Sequence, residues 1–292
     1  MSISEAQLQT WCGQGAVTGS VLTHTSVRNA LAAHSWPQGM RYEVYLQGSY
    51  ANTTNIRADS DVDVVVECTS VFYSNLEDHE KQLLGLSVGR HSYSDFRREV
   101  LSALTSYYGH SLVHASGANA IEVLPASNRL KADVLPCVSY HHYQALQVAV
   151  EGVAFWNQHT SQQVKNFPKL HIRHGEQKNG SDRTNGRYKP SVRMFKNARR
   201  QLVENDESLR KRYPSYFVEC LLYNALDECY SNSAQQTFAQ AVIYLSNALR
   251  NGTADHFKTQ SGCHELFGAS VVQWSKENAS DFVSRLITMW GA

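Results

Sequence analysis

Gln47-Gly48-Ser49-Tyr50-Ala51-Asn52-Thr53-Thr54-Asn55, followed by Ser60-Asp61-Val62-Asp63-Val64-Val65-Val66, is the part of the chain that decides its fold. The second stretch alternates. Successive side chains of a strand point to opposite faces, so Val62, Val64 and Val66 enter a core while Asp61 and Asp63 share the other face. Two adjacent carboxylates repel and call for a cation. Oxygen donors at this density suit Mg²⁺, with Mn²⁺ able to substitute. A third carboxylate, Asp133, lies in the alternating run Leu130-Lys131-Ala132-Asp133-Val134-Leu135, where an unpaired charge is costly. Three carboxylates on neighbouring strands can hold two cations roughly 3.5–4 Å apart, an arrangement that serves in-line displacement at phosphorus. Gly48-Ser49 follows the alternating run Arg41 to Gln47 directly. A glycine there lets backbone amides and the Ser49 hydroxyl approach phosphate oxygens. A D-x-D alone is more often a solvated strand end or a cap; the order strand, Gly-Ser, polar loop, D-x-D strand and later Asp-bearing strand is specific. A calcium loop starting at Asp59 would place Val64 and Ser70 where Gly and Glu are needed, and is excluded.

Outward from this centre, Tyr42, Val44 and Leu46 predict a strand over 41–47, and 52–60 a loop. Helix is expected in the second half of 5–34. Residues 70–93 read as an irregular insertion. Ser94 caps an expected helix carrying Phe96, Val100, Leu101, Leu104 and Tyr108, with Gly109 ending it. Two strands, 121–124 and 130–138, flank a turn at Ser127-Asn128. Beyond about residue 160 strands are hard to find, and 178–190 reads as a polar connection. Helical patterns follow over 191–204, 215–230, 234–250 and 278–290. The fold class is α+β, with a core over 1–165 and a helical domain over 166–292.

Composition bounds the partners. The 292 residues are 42% hydrophobic and 18% charged, a globular mixture with room for one large or two modest domains. Lys+Arg is 27 and Asp+Glu 26, which disfavours stable binding of nucleic acid over the whole surface. No stretch approaches a membrane span, and the first residues lack the basic and apolar regions of a signal peptide. Six scattered cysteines without a C-x-x-C pair read as reduced thiols, so a cytoplasmic location is expected. His171 and His174 lack further spaced ligands and make a poor zinc site.

The two opening stretches and Lys131-Ala132-Asp133-Val134-Leu135-Pro136 resemble the nucleotidyltransferase superfamily that shares the polymerase-β palm. More narrowly, the chain looks like the bacterial CD-NTases (cGAS/DncV-like nucleotidyltransferases). Asn166-Phe167-Pro168-Lys169-Leu170-His171, Thr184-Asn185-Gly186-Arg187-Tyr188-Lys189, Val192-Arg193-Met194-Phe195-Lys196-Asn197 and Pro214-Ser215-Tyr216-Phe217-Val218-Glu219 also match, so the likeness runs from about 41 to 230. It implies a palm of mixed sheet and helices, plus a C-terminal helical domain resembling that of oligoadenylate synthase and completing the donor-nucleotide pocket. It implies that Asp61 and Asp63 bind two Mg²⁺ ions, that Asp133 helps bind one and activates the attacking hydroxyl, and that Gly48 and Ser49 hold the donor's β- and γ-phosphates. Lys196 and Ser215 would contact the triphosphate, Tyr216 would stack on the base, and Asn166 would read a base edge. Products in such a family are cyclic di- or trinucleotides made from NTPs, second messengers that switch on an effector in antiphage defence. A small C-terminal residue, here Ala292, is in some relatives conjugated by an accessory enzyme; a frayed helix end is the plainer reading.

The residues alone leave alternatives. Lys189, Arg193, Lys196 and Arg200 share one helix face, either a triphosphate grip or a solvated basic face. Ser215 can be a helix N-cap, Tyr216 a core aromatic, and Asn166 an ordinary turn residue. The same palm serves enzymes acting on tRNA, proteins or small molecules, linear oligonucleotide synthases, and non-catalytic nucleotide sensors. A sensor usually loses a carboxylate, and all three are present.

Overall fold

The structure is a computed structural model that describes residues 3–57 and 61–291. Ser60 of the opening motif and Ala292, the conjugation point of the less plain reading, lie outside the described residues. The elements run α1 (Glu5–Cys12), α2 (Thr18–Ala32), β1 (Tyr42–Leu46), a short α3 (Gly48–Ala51) and a long β2 (Asp61–Ser74). Then come α4 (Asp78–Leu83), α5 (Tyr93–Tyr108), β3 (Val113–His114), β4 (Ile121–Val123), β5 (Lys131–Ala145), β6 (Val148–Trp156) and β7 (Gln163–Asn166). The remainder is helical: α6 (Pro168–Asn179), α7 (Tyr188–Asn205), α8 (Leu209–Arg212), α9 (Ser215–Tyr223), α10 (Ala234–Asn251) and α11 (Lys276–Gly291). The chain forms two compact units. A sheet unit comprises Val17–Tyr50 and Ser60–Lys169; a helical unit comprises Met1–Ala16, Ala51–Asp59 and Leu170–Ala292.

In the sheet unit the order is β1-β2-β5-β4-β3, with β6 pairing both β5 and β7. β2 and β5 are parallel; the other pairs are antiparallel. A parallel pair needs a long crossover, and α5 lies within it. β4 and β6 share one edge of β5 at successive stretches. This is the mixed sheet that the resemblance implies. Val62, Val64, Val66, Ala132 and Val134 are fully buried, as are Val27 and Leu31 of α2 and Phe96, Val100 and Leu104 of α5. The alternation thus sends its valines beneath two helices and leaves the carboxylates on the opposite face.

Local corrections have local causes. β2 continues to Ser74, so 70–93 is not simply irregular. Its register against β5 jumps between Cys68 and Phe72, and that irregularity hides the strand's continuation. The cap of α5 is Ser92 rather than Ser94: its side chain accepts from Asp95 N while Asp95 accepts from Ser92 N. Gly109, at φ 86°, ends that helix as expected. Strands do occur around residue 160, in β6 and β7. Residues 168–179 form α6, and α9 stops at Tyr223 instead of reaching 230.

In the helical unit, α7 carries the predicted basic face, with Arg200 part-exposed beside Glu204 and the other three cations engaged within the unit. Lys189 pairs with Glu176, Arg193 donates to Cys12 O and Thr53 O, and Lys196 Nζ donates to Thr54 O at 2.9 Å. Arg193 and Lys196 staple the backbone of the 51–57 loop, whose Asn52, Thr54 and Asn55 are buried. The polar composition that reads as a surface loop is thereby satisfied inside the unit. Lys178, at 2% exposure, donates to Ala225 O and Asp227 Oδ1, both at 2.8 Å, among the rings of Tyr188, Tyr223 and Tyr230. No disulfide forms among the described residues, and no helix there is long and apolar enough to cross a membrane.

Glu219 anchors the same loop from below. It accepts from Thr54 Oγ1 at 3.0 Å and bonds His171 Nε2 at 3.0 Å. Burial pushes its carboxyl up, but His171, Lys196 and Thr54 together hold it below the usual glutamate range. A carboxylate lowered in the folded state stabilises above its unfolded pKa, and that contribution is lost as pH falls through the lowered value. Removing one partner of a buried charge cluster costs about 3–5 kcal/mol. Glu219→Gln is therefore expected to lower the melting temperature sharply at neutral pH. Its deficit against wild type should shrink as both are melted in acid, and a constant deficit would contradict the charge argument.

Candidate active site

The parallel register of β2 and β5 sets Asp63 directly beside Asp133, and Asp61 beside Lys131. Adjacent strands are about 4.8 Å apart, so Asp63 and Asp133 share one face at close range. On the other edge of β5, Glu122 of β4 pairs with Asp133. Four carboxylates, Asp61, Asp63, Glu122 and Asp133, thus gather on the face away from α2 and α5. Burial pushes the Asp133 carboxyl up; Asp61 and Glu122 push it further, and Lys131 opposes them.

Gly48 sits where β1 ends. Gln47 N donates to Asp63 O at 3.0 Å, tying the turn to β2. Gly48 has φ 65°, and a Cβ built there would lie 2.2 Å from Asp63 Oδ2. The glycine is therefore required twice, for its backbone conformation and for the closeness of the carboxylate. Ser49 follows at the start of α3, half-buried, its hydroxyl without a hydrogen-bond partner among the described residues.

The sequence reasoning missed two members of this group, Lys131 and Glu122. Lys131 Nζ lies 3.2 Å from Asp61 Oδ2, 3.0 Å from Glu122 Oε1 and 3.6 Å from Asp133 Oδ1. The i, i+2 spacing of Lys131 and Asp133 in a strand was the available signal; Glu122 required knowledge of a non-local pairing. Among the described residues, no three Asp, Glu, His or Cys side chains stand close enough as arranged to ligate one ion. The donor chemistry nonetheless fits a divalent cation. The side chains are hard oxygen donors on adjacent strands, one of them partly buried.

Further along the same face lies a polar cavity of about 170 Å³, lined by Tyr45, Glu67, Ser139, His141, Val153 and Lys169 among others. Glu67 accepts from Tyr45 Oη at 2.8 Å and Ser139 Oγ at 2.7 Å, with Lys169 Nζ at 3.1 Å. Asn166 pairs with Val153, which lines this cavity. Its Oδ1 accepts from Phe167 N at 2.9 Å.

In the helical unit, Ser215 is the first residue of α9; the N-cap is Pro214, so the capping reading of Ser215 does not hold. Its hydroxyl has no hydrogen-bond partner among the described residues. Tyr216 is 37% exposed, with its ring against His171 at 5.0 Å and Trp274 at 5.6 Å, so it is braced rather than submerged. Lys196 is buried at 2% exposure.

Comparison with known proteins gives the class. The family of the cGAS/DncV-like nucleotidyltransferase C-terminal helical domain matches residues 173–291. The cyclic UMP-AMP synthase of Rhodothermus marinus is 41% identical over 99% of this chain and 98% of its own. The cyclic nucleotide synthase CdnE01 of Staphylococcus haemolyticus is 31% identical over 99% of both. The structure of the Rhodothermus marinus CdnE c-UMP-AMP synthase with Apcpp and Upnpp superposes with a TM-score of 0.91 at 40% identity, covering 99% of this chain and 97% of that one. A palm-like sheet bearing this carboxylate group defines a nucleotidyltransferase. The chain belongs to the cGAS/DncV-like nucleotidyltransferase family.

Proposed function

We propose that this enzyme joins one uridine and one adenosine nucleotide into a cyclic dinucleotide, a second messenger that switches on an effector in antiphage defence. The observation that carries the chemistry is the parallel register that sets Asp63 beside Asp133, two residues on from Asp61. The choice of nucleotides rests on the full-length likeness to a cyclic UMP-AMP synthase.

Asp61, Asp63 and Asp133 would hold divalent cations, Mg²⁺ or Mn²⁺ and two in number. Such ions supply the charge that neutralises phosphate oxygens and eases ionisation of the acceptor hydroxyl. The chain's own contributions follow from its residues. Gly48 and the Ser49 hydroxyl donate to the β- and γ-phosphates. Asp133 stands beside Asp63 in the β2–β5 register, where a carboxylate can accept a proton from a hydroxyl within hydrogen-bond reach. It takes the proton of the acceptor ribose hydroxyl as that oxygen attacks the α-phosphorus in line. The new P–O bond forms as the bond to pyrophosphate breaks. A second, identical transfer between the ends of the linear product closes the ring.

From the helical unit, Ser215 is assigned to the triphosphate; Lys196, which the family resemblance also points to the triphosphate, is buried with its ammonium on Thr54 O and is assigned to holding the 51–57 loop instead. Ser215 stands in the first turn of α9, where free N–H groups and the helix dipole favour anions. Tyr216 is assigned to stack on the base and Asn166 to read a base edge. Base–aromatic stacking is worth about 1–3 kcal/mol. Tyr216→Ala is expected to raise KM for the NTPs by roughly tenfold or more, with a smaller change in kcat; an unchanged KM would remove Tyr216 from the site.

The test of the reading is to incubate the enzyme with single NTPs and every pair, treat with phosphatase, and analyse by mass spectrometry. A phosphatase-resistant product at the mass of cyclic UMP-AMP is expected from UTP plus ATP. Resistant product only from another pair would refute the nucleotide choice, and no resistant product from any mixture would refute cyclisation.

A further inference from the structure

We propose that Lys131 is a built-in counter-ion for the catalytic carboxylates, and that Glu122 is the berth it retreats to when a divalent cation binds. The proposal rests on the metal reading above. Lys131 makes close ion pairs with Asp61, Glu122 and Asp133, which lie on three different strands. Its side chain is 29% exposed, so the ammonium bridges the face rather than lying beneath it. Lys131 offsets part of the mutual repulsion of the carboxylates gathered on this face.

A divalent ion placed among Asp61, Asp63 and Asp133 reverses the field at Lys131. A charge of +2 within a few ångströms repels the ammonium. The lysine stem is flexible and its head is a compact point charge, so it can move without losing every partner. Asp61 and Asp63 lie on β2, while Glu122 lies across β5 on the opposite edge. Glu122 is therefore the carboxylate farthest from β2 that Lys131 already touches, at 3.0 Å. His114 Nδ1, 3.2 Å from Glu122 Oε2, holds the berth from its outer side. Lys131 thus competes with the metal, and Glu122 sets how strongly. Both are positioning residues: they act on the ion through the carboxylates and on the chemistry only through the ion.

The test is Mn²⁺ binding to the metal-stripped full-length chain without nucleotide, followed by the paramagnetic resonance of free Mn²⁺. Lys131→Met and Lys131→Gln are each expected to bind Mn²⁺ roughly tenfold tighter than wild type, since one competing charge is gone. Glu122→Gln is expected to weaken binding roughly threefold when Lys131 is present, and to have no effect in the Lys131→Met background. That non-additivity separates a berth for Lys131 from a carboxylate that merely adds charge. Equal weakening by Glu122→Gln in both backgrounds would overturn the berth, and unchanged or weaker binding by both Lys131 variants would overturn the counter-ion. Should Asp61→Asn/Asp63→Asn bind Mn²⁺ as wild type does, the metal reading itself fails, whatever the Lys131 variants do. Melting in chelator shows that each variant is folded before its affinity is read.

Discussion

Asp61→Ala combined with Asp63→Ala is expected to leave a folded protein that makes no detectable cyclic product. The two side chains lie on the face away from the core, while the fold is held by Val62, Val64 and Val66 on the other. Lys131 keeps Glu122 and Asp133 as partners in the double variant. Its melting temperature should therefore stay within a few degrees of wild type, as is usual where no core contact is lost. If the pair holds the cations as proposed, its loss removes several kcal/mol of transition-state stabilisation, at least about a thousandfold in rate. Turnover near wild type in that variant would end the argument that these carboxylates carry the chemistry.

Gly48→Ala is expected to be nearly as damaging, although it adds a single methyl group. The left-handed backbone at this position is costly for any residue with a Cβ, by about 1–2 kcal/mol. The larger effect is steric. The new Cβ would overlap Asp63 Oδ2 at 2.2 Å, so the carboxylate or the turn must move by an ångström or more. A misplacement of that size costs on the order of a hundredfold in rate. The measurement is kcat on UTP plus ATP alongside a melting curve. A normal rate would show that the Gly48–Asp63 approach plays no part in catalysis; a folded protein with a hundredfold loss would show that it does.

The centre of the site was legible because it is local. Alternation at 61–66 fixes which face Asp61 and Asp63 occupy, and the run ending at Leu46 places Gly48 at a strand end. What lay beyond that was non-local or masked by composition. Lys131 reads as an ordinary exposed lysine until β4 and β2 are placed on either side of β5. The basic residues of α7 satisfy the periodicity of a surface face, yet Arg193 and Lys196 spend their charge on backbone carbonyls of the loop at 51–57. Lys178, in a stretch rich in charge and histidine, gives no apolar period to mark α6, although it ends inside a ring of tyrosines. β7, whose residues are all half-buried, has no alternation to find.

The most direct test of the central claim is a crystal of the enzyme grown with Mn²⁺ and non-hydrolysable analogues of ATP and UTP, with data collected at the manganese edge. The account predicts anomalous peaks for two ions between the phosphates and the carboxylates of Asp61, Asp63 and Asp133, with Lys131 drawn back to Glu122. Ordered nucleotide in the site with no manganese at those three carboxylates would contradict it.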